Sequence, residues 1–321
     1  MTVLAVVHPS DIVAVDFREA LDQRTDLWTD LRLLAATEEE VGLLTETRGA
    51  AAMVAAIDAD SFDGVDVAFF FGPAETYRRH LETLPPSTRA VVVASGTESA
   101  AGRPVVADLQ DLQDDPGDVL LSPDAGVVAL AHLLAPLQEF GLSRAVATLL
   151  QPVSTWGKEG LDEMFEQTRD LLNFKPVESR SVLPGQLAFN VLHLRESAAA
   201  FEAQLREILA AGDEDGPVLA LQTLHAGVFH GLGISLHVQL TRDPGIDGIY
   251  DALEASPRIE WPKARDPVGP TAAASRDEIL IGNLAASGDG YAIWAVMDNL
   301  TAGGAHNAAA ILESLVRPAL H

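Results

Sequence analysis

The chain has 321 residues, 48% of them hydrophobic, and carries 47 acidic against 21 basic side chains for a formal net charge of −26. That charge repels phosphate backbones and anionic lipid surfaces, which argues against nucleic acid and membrane as partners; its plain reading is a solvated acidic surface, with a cationic partner as the alternative. There is no cysteine, so disulfides, thiolate metal sites and cysteine nucleophiles are all excluded.

The length suits two domains with well-buried cores. No stretch approaches the roughly 20 apolar residues that span a bilayer. The start, "MTVLAVVHPSD", lacks a basic region and a cleavage site, so a soluble, cytoplasmic protein is expected.

In chain order, "VLAVV" (3–7), "LRLLAA" (31–36), "VDVAFFF" (65–71) and "RAVVVAS" (89–95) read as strands, and "RPVVADL" (103–109) as a further one. Helix-like stretches separate them: "AVDFREALDQR", the alanine-rich "RGAAAMVAAI" and "AETYRRHLETL". Strands spaced by helices of this length predict a doubly wound parallel sheet. The acidic "QDLQDDPGD", or the turn at Ser122–Pro123, is the expected domain boundary.

"LSPDAGVVALAHLLAPL" (121–137) is a turn that becomes a helix, with Ala125 at its start. A helix N-terminus favours a thiolate or an anion, yet this one offers a methyl group. Beyond it, "AVATLLQPVS" (145–154), "VLALQTLHAGVF" (218–229), "GISLHVQL" (233–240) and "YAIWAVMDNL" predict long strands of a mixed sheet with one covered face. "LDEMFEQTRDLLNF", "SAAAFEAQLREILAAG" and a short "DPGIDGIYDALEAS" read as helices, "WPKARDPVGPTAAAS" as a Pro-rich loop, and "GGAHNAAAILESLVRPAL" as the closing helix.

Five phrases, "GVVALAHLLAPL", "SRAVATLLQPVSTWGKEGLDEMFEQT", "LAFNVL" (187–192), "GVFHGLGISLHV" and "AIWAVMDNLTAGGAHNAAAILESL", resemble in order the nucleophile helix, the Gln-Ala-Val-Ser-Gly segment, the Ala-Phe-Asn strand, the Val-Phe-x-Gly-His strand and the closing helix of aspartate-semialdehyde dehydrogenases. The resemblance implies an α/β protein: a Rossmann-like NAD(P)-binding-type domain over 1–122, completed by the helix of 300–321, and a catalytic and dimerisation domain with a large mixed sheet over 123–299. It also implies an NADP-dependent homodimer.

Carried over one at a time, most functional positions of that family are changed. The nucleophilic Cys falls on Ala125, the general base on Leu232, the substrate-binding Arg on His225 and the phosphate-binding Arg near Ser99, with Arg103 a possible substitute. Gln151 is kept, and Asn299 is a candidate for an inherited cofactor contact. The glycine-rich phosphate loop reads "HPSDIVA" (8–14), where Pro9 removes an N–H and Asp11 repels phosphate. A methyl cannot attack an aldehyde, and an isobutyl group cannot exchange a proton.

His225, His230 and His237 lie in one strand region, and 225 and 237 are expected to share a face, at a separation too wide for one metal ion. Asp298–Asn299 and Gly303–Gly304 are equally explained by capping and close packing. The expectation is therefore a catalytically inactive homologue, without cofactor or metal, acting as a dimeric binding or regulatory protein for a protein or small molecule. The alternative is an oxidoreductase of the same family, or another reaction in the same cleft, with an altered mechanism.

Overall fold

Val3–Val7 form β1, and four of its five side chains are buried, as a strand covered on both faces requires. The computed structural model describes residues 2–94, 101–110, 112, 119–177, 181–194, 198–210, 216–262 and 267–317. The chain divides into two units, Met1–Asp124 with Gly304–His321, and Ala125–Gly303.

The first unit runs β1, α1 (Ile12–Asp22), β2 (Asp30–Leu34), β3 (Leu44–Thr47), β4 (Ala50–Met53), β5 (Val67–Phe70), α2 (Ala74–Leu81), β6 (Arg89–Val93), β7 (Arg103–Pro104) and β8 (Val119–Ser122), with α7 (His306–Val316) returning at the end. Its main sheet has the order β2-β1-β5-β6-β8-β7, and every pairing is parallel. The chain leaves β1 towards β2 on one side and comes back to β5 on the other. This makes the ends of β1 and β5 a topological switch point, where open α/β sheets form their ligand crevice. Asp11 starts α1 by accepting from Val13 N at 2.9 Å and Ala14 N at 3.4 Å. The helix then seats Phe17 against Phe69 and Phe71, with ring centroids 4.5 and 5.4 Å apart.

Two local expectations are corrected here. "RGAAAMVAAI" is not a helix: β3 and β4 pair as a hairpin, with Arg48 (φ 51°) and Gly49 (φ 72°) both left-handed at the turn. The Arg48 guanidinium lies 3.4 Å from the centre of the Trp28 ring and donates to the carbonyls of Thr25 and Trp28, and these contacts override the helix preference of alanine. "RPVVADL" pairs only at Arg103–Pro104: Val105 N still donates to Leu121 O at 2.8 Å, but Pro104 has no N–H and the amides after Val105 are taken by side chains. Val106 N donates to Gln110 and Ala107 N to Asn307 Oδ1.

Asn307, 3% exposed on α7, also donates to Val105 O and Ser122 Oγ, each at 2.8 Å. One amide thus ties the closing helix to the edge of the sheet. Asn307→Ala leaves these groups buried and unmatched, and a loss of about 2–3 kcal/mol in urea unfolding is the expected result.

The second unit contains α3 (Ala125–Leu134), β9 (Leu142–Gln151), α4 (Gly157–Leu172), β10 (Val191–Leu192), α5 (Ala199–Ile208), β11 (Val218–Ala226), β12 (Leu232–Leu240), α6 (Gly245–Glu254), β13 (Ile259–Glu260), β14 (Ile279–Ser287) and β15 (Gly290–Met297). Its mixed sheet has the order β10-β11-β9-β12-β15-β14-β13. α3 is buried along its whole length, as an evenly apolar helix must be. It packs on β9 and β12, and α5 packs on β11. In β9 the side chains of Ala145, Ala147, Leu149 and Gln151 are buried while Arg144 and Val146 are exposed, so one face of the sheet is covered and the other open.

The Ala-Phe-Asn segment is a second correction of an expected strand. Only Val191–Leu192 pairs, while Leu187–Asn190 is a turn closed by Asn190 N on Leu187 O at 3.0 Å, with Phe189 at φ 58°. A Cβ on Gly227 would lie 2.3 Å from Leu187 O, so this glycine is what lets the turn settle on the sheet.

Candidate functional site

Three of the positions singled out in the sequence meet at one end of the second sheet. Gln151 ends β9 and faces His225 of β11 directly in the parallel pairing. Leu232 opens β12 one step beyond the Gly233–Leu150 pair, which sets it beside Gln151, and it faces Met297 of β15 on its other side. Met297, Leu232, Gln151 and His225 therefore form a row across four adjacent strands on the covered face. Met297, Leu232 and Gln151 are fully buried and His225 is 4% exposed.

Ala125 lies near the Met297 end of this row. A Cβ placed on Gly303 would lie 2.4 Å from the Ala125 methyl and 3.2 Å from Met297 Cε, so the first residue of α3 presses on the Gly303 backbone beside Met297. The centre of the site is thus hydrocarbon: a methyl, an isobutyl and a thioether. Its polar edge is Gln151 and His225, and the His225 ring tilts against Trp156 with centroids 4.2 Å apart.

Asn299 holds the rim. Its Oδ1 accepts from Gly231 N at 3.0 Å, and its Nδ2 donates to Ser154 Oγ at 3.0 Å, which pins the turn before β12 to the segment after β9. Asp298 caps the following turn, accepting from Leu300 N, Thr301 N and Ser275 N. Asn299 accordingly has a structural task here, and Ser154 and Trp156 are site residues that the sequence reading did not single out. Their position straight after Gln151 was the available signal.

The family described as semialdehyde dehydrogenase, dimerisation domain, matches residues 134–302. The USG-1 protein homolog of Pseudomonas aeruginosa is 30% identical, over 98% of this chain and 97% of its own. The chain belongs to the semialdehyde dehydrogenase family. The aspartate-semialdehyde dehydrogenase of Aquifex aeolicus is 25% identical over 99% of this chain and 98% of that one. The structure of a probable aspartate-semialdehyde dehydrogenase from Pseudomonas aeruginosa superposes with a TM-score of 0.88 at 27% identity, covering 99% of each chain.

The remaining candidates fall elsewhere. His230 is exposed in the turn between β11 and β12. His237 corrects an expectation: it pairs with Val146 on the open face, whereas His225 pairs with Gln151 on the covered one, so the two imidazoles lie on opposite sides of the sheet. The fixed two-residue alternation of each strand decides this, since β9 separates the two histidine strands and sets their phase. His237 Nε2 is instead 3.0 Å from Ser287 O. Ser99 lies outside the described residues, and Arg103 is at the edge of the first unit's sheet. Among the described residues, no helix is long and apolar enough to cross a membrane.

Proposed function

We propose that this chain is a catalytically silent member of the family: a cytoplasmic homodimer that binds a protein or small molecule and carries out no semialdehyde oxidoreduction. The observation that carries this reading is Ala125 at the first turn of α3. A helix N-terminus is the place where a thiol becomes a thiolate, and here it presents a methyl group to the Gly303 backbone near Met297, the residue that pairs with Leu232. Acyl transfer needs a nucleophile and a group that exchanges its proton, and neither is in the hydrocarbon centre of the site. The test is turnover. Purified chain with NADP, phosphate and aspartate semialdehyde should reduce no cofactor, and a rate within about a hundredfold of an ordinary family member, against the roughly million-fold cost of a lost nucleophile, overturns the reading.

The dimer is supported by the dimerisation-domain match and by the open face of the second sheet. Val146 and Val218 on that face are 42% and 50% exposed, apolar side chains that a second copy would cover. Pairing two copies about a two-fold axis covers both faces at once, burying on the order of 2,000 Å² in total. Light scattering at micromolar concentration should give twice the 34.0 kDa of one chain. A single-chain mass under those conditions rejects the dimer.

A further inference from the structure

The family resemblance implies a dinucleotide, and the place for its pyrophosphate is the switch point between β1 and β5, at the start of α1. The residues there do not fit one. No glycine lies in the His8–Ala14 turn, and His8 itself adopts the left-handed backbone that glycine would take, at φ 64°. Its imidazole covers the Gly72 backbone beyond β5: a Cβ on Gly72 would lie 2.4 Å from His8 Nδ1.

The amides that would face a phosphate are already engaged by the chain's own carboxylates. Asp11 takes Val13 N and Ala14 N at the mouth of α1. Glu40, in the short turn after β2, is 3% exposed and reaches across with both oxygens. Oε1 accepts from Ser10 N at 3.1 Å and from Ser10 Oγ, and lies 3.9 Å from His8 Nε2. Oε2 accepts from Ala36 N at 2.7 Å and Thr37 N at 3.4 Å. Burial raises the Asp11 carboxyl above the usual range, His8 and the two amides oppose this, and Glu40 adds to it, as two carboxylates sharing one mouth would.

We propose that His8, Asp11 and Glu40 form an internal plug: two side-chain carboxylates hold the amides of the anion cradle, an imidazole fills the crevice above Gly72, and the site rejects NAD(P) and other polyphosphates. The plug sits wholly in the first unit and stands apart from the chemistry at Ala125, because a chain without turnover can still bind a nucleotide. Binding, not turnover, is therefore the readout that separates the two readings.

The experiment is calorimetric titration of the full chain with NADP and, separately, with inorganic pyrophosphate. The intact protein should bind neither more tightly than about 1 mM. The variant His8→Gly/Asp11→Gly/Glu40→Ala frees the amides and gives the left-handed position its natural residue; it should bind pyrophosphate at least tenfold more tightly. Micromolar binding of either probe by the intact protein overturns the plug, as does a folded triple variant with no gain. Should the triple variant fail to fold, Glu40→Gln serves in its place, since it removes the charge and keeps an acceptor. A several-fold gain in pyrophosphate affinity supports the plug, and an unchanged affinity overturns it.

Discussion

Ala125→Cys is expected to leave the protein without measurable NADP reduction, at least about ten-thousandfold below an ordinary family member, because restoring one member of a catalytic unit recovers little of what the unit provides. The new thiol would sit at the N-terminus of α3, where the helix dipole favours the thiolate. Its neighbours are the Gly303 backbone and Met297, and Leu232 occupies the strand end beside them. None exchanges a proton. His225 is two strands from Leu232, roughly 10 Å across the sheet at the usual strand spacing, and cannot take the part. Adding Leu232→His to Ala125→Cys tests the geometry without requiring turnover. An imidazole there should move the iodoacetamide reactivity of Cys at 125 to lower pH, while NADP reduction stays absent. An unchanged reactivity profile would mean that Leu232 does not occupy the base position, and full turnover in the single variant would end the proposal of a silent site.

The architecture is legible in the sequence where one pattern dominates. The short β-branched runs "VLAVV" and "RAVVV" form covered strands, and the amphipathic 3.6-residue pattern of "LDEMFEQTRDLLNF" gives α4, whose buried face carries Glu163, Met164 and Gln167. It fails where tertiary contact outweighs local preference. The alanine-rich hairpin is held by Arg48 on Trp28, and β14 passes unnoticed because Gly282 and Asn283 break its alternation at a register shift against β15. At the candidate site, Ala125, Gln151 and Leu232 were readable because each sits in a phrase with a fixed order along the chain. Glu40 was not readable. It lies 30 residues from Ser10, and only the return of the chain after β2 brings its carboxylate to the cradle.

Glu163→Ala should be the most damaging single change in the second unit, lowering stability in urea unfolding by about 3 kcal/mol, since it strands several N–H groups that a charged acceptor now satisfies. Glu163 is 4% exposed on α4, and its Oε2 accepts from Val182 N at 2.7 Å, Ser181 N at 3.1 Å and Leu183 N at 3.2 Å. Gln167, one turn on, donates to its Oε1 and also accepts from Leu187 N and Ala188 N. Together the two side chains hold the segment that leads into β10, whose Leu192 pairs with His225 at the edge of the site. Burial alone would raise the Glu163 carboxyl, but the amides of Val182, Leu183 and Ser181 and the Gln167 side chain outweigh it and hold it below the ordinary 4.5. A carboxylate whose folded-state value is lowered stabilises the fold above its unfolded value, and that contribution is lost as pH falls through the lowered one. The stability gap between the native protein and Glu163→Gln should therefore be constant from neutral pH down to about 5 and close progressively below the ordinary value of 4.5. A gap that ignores acid, or an alanine variant as stable as the native chain, would show that α4 does not hold this segment through the charge of Glu163.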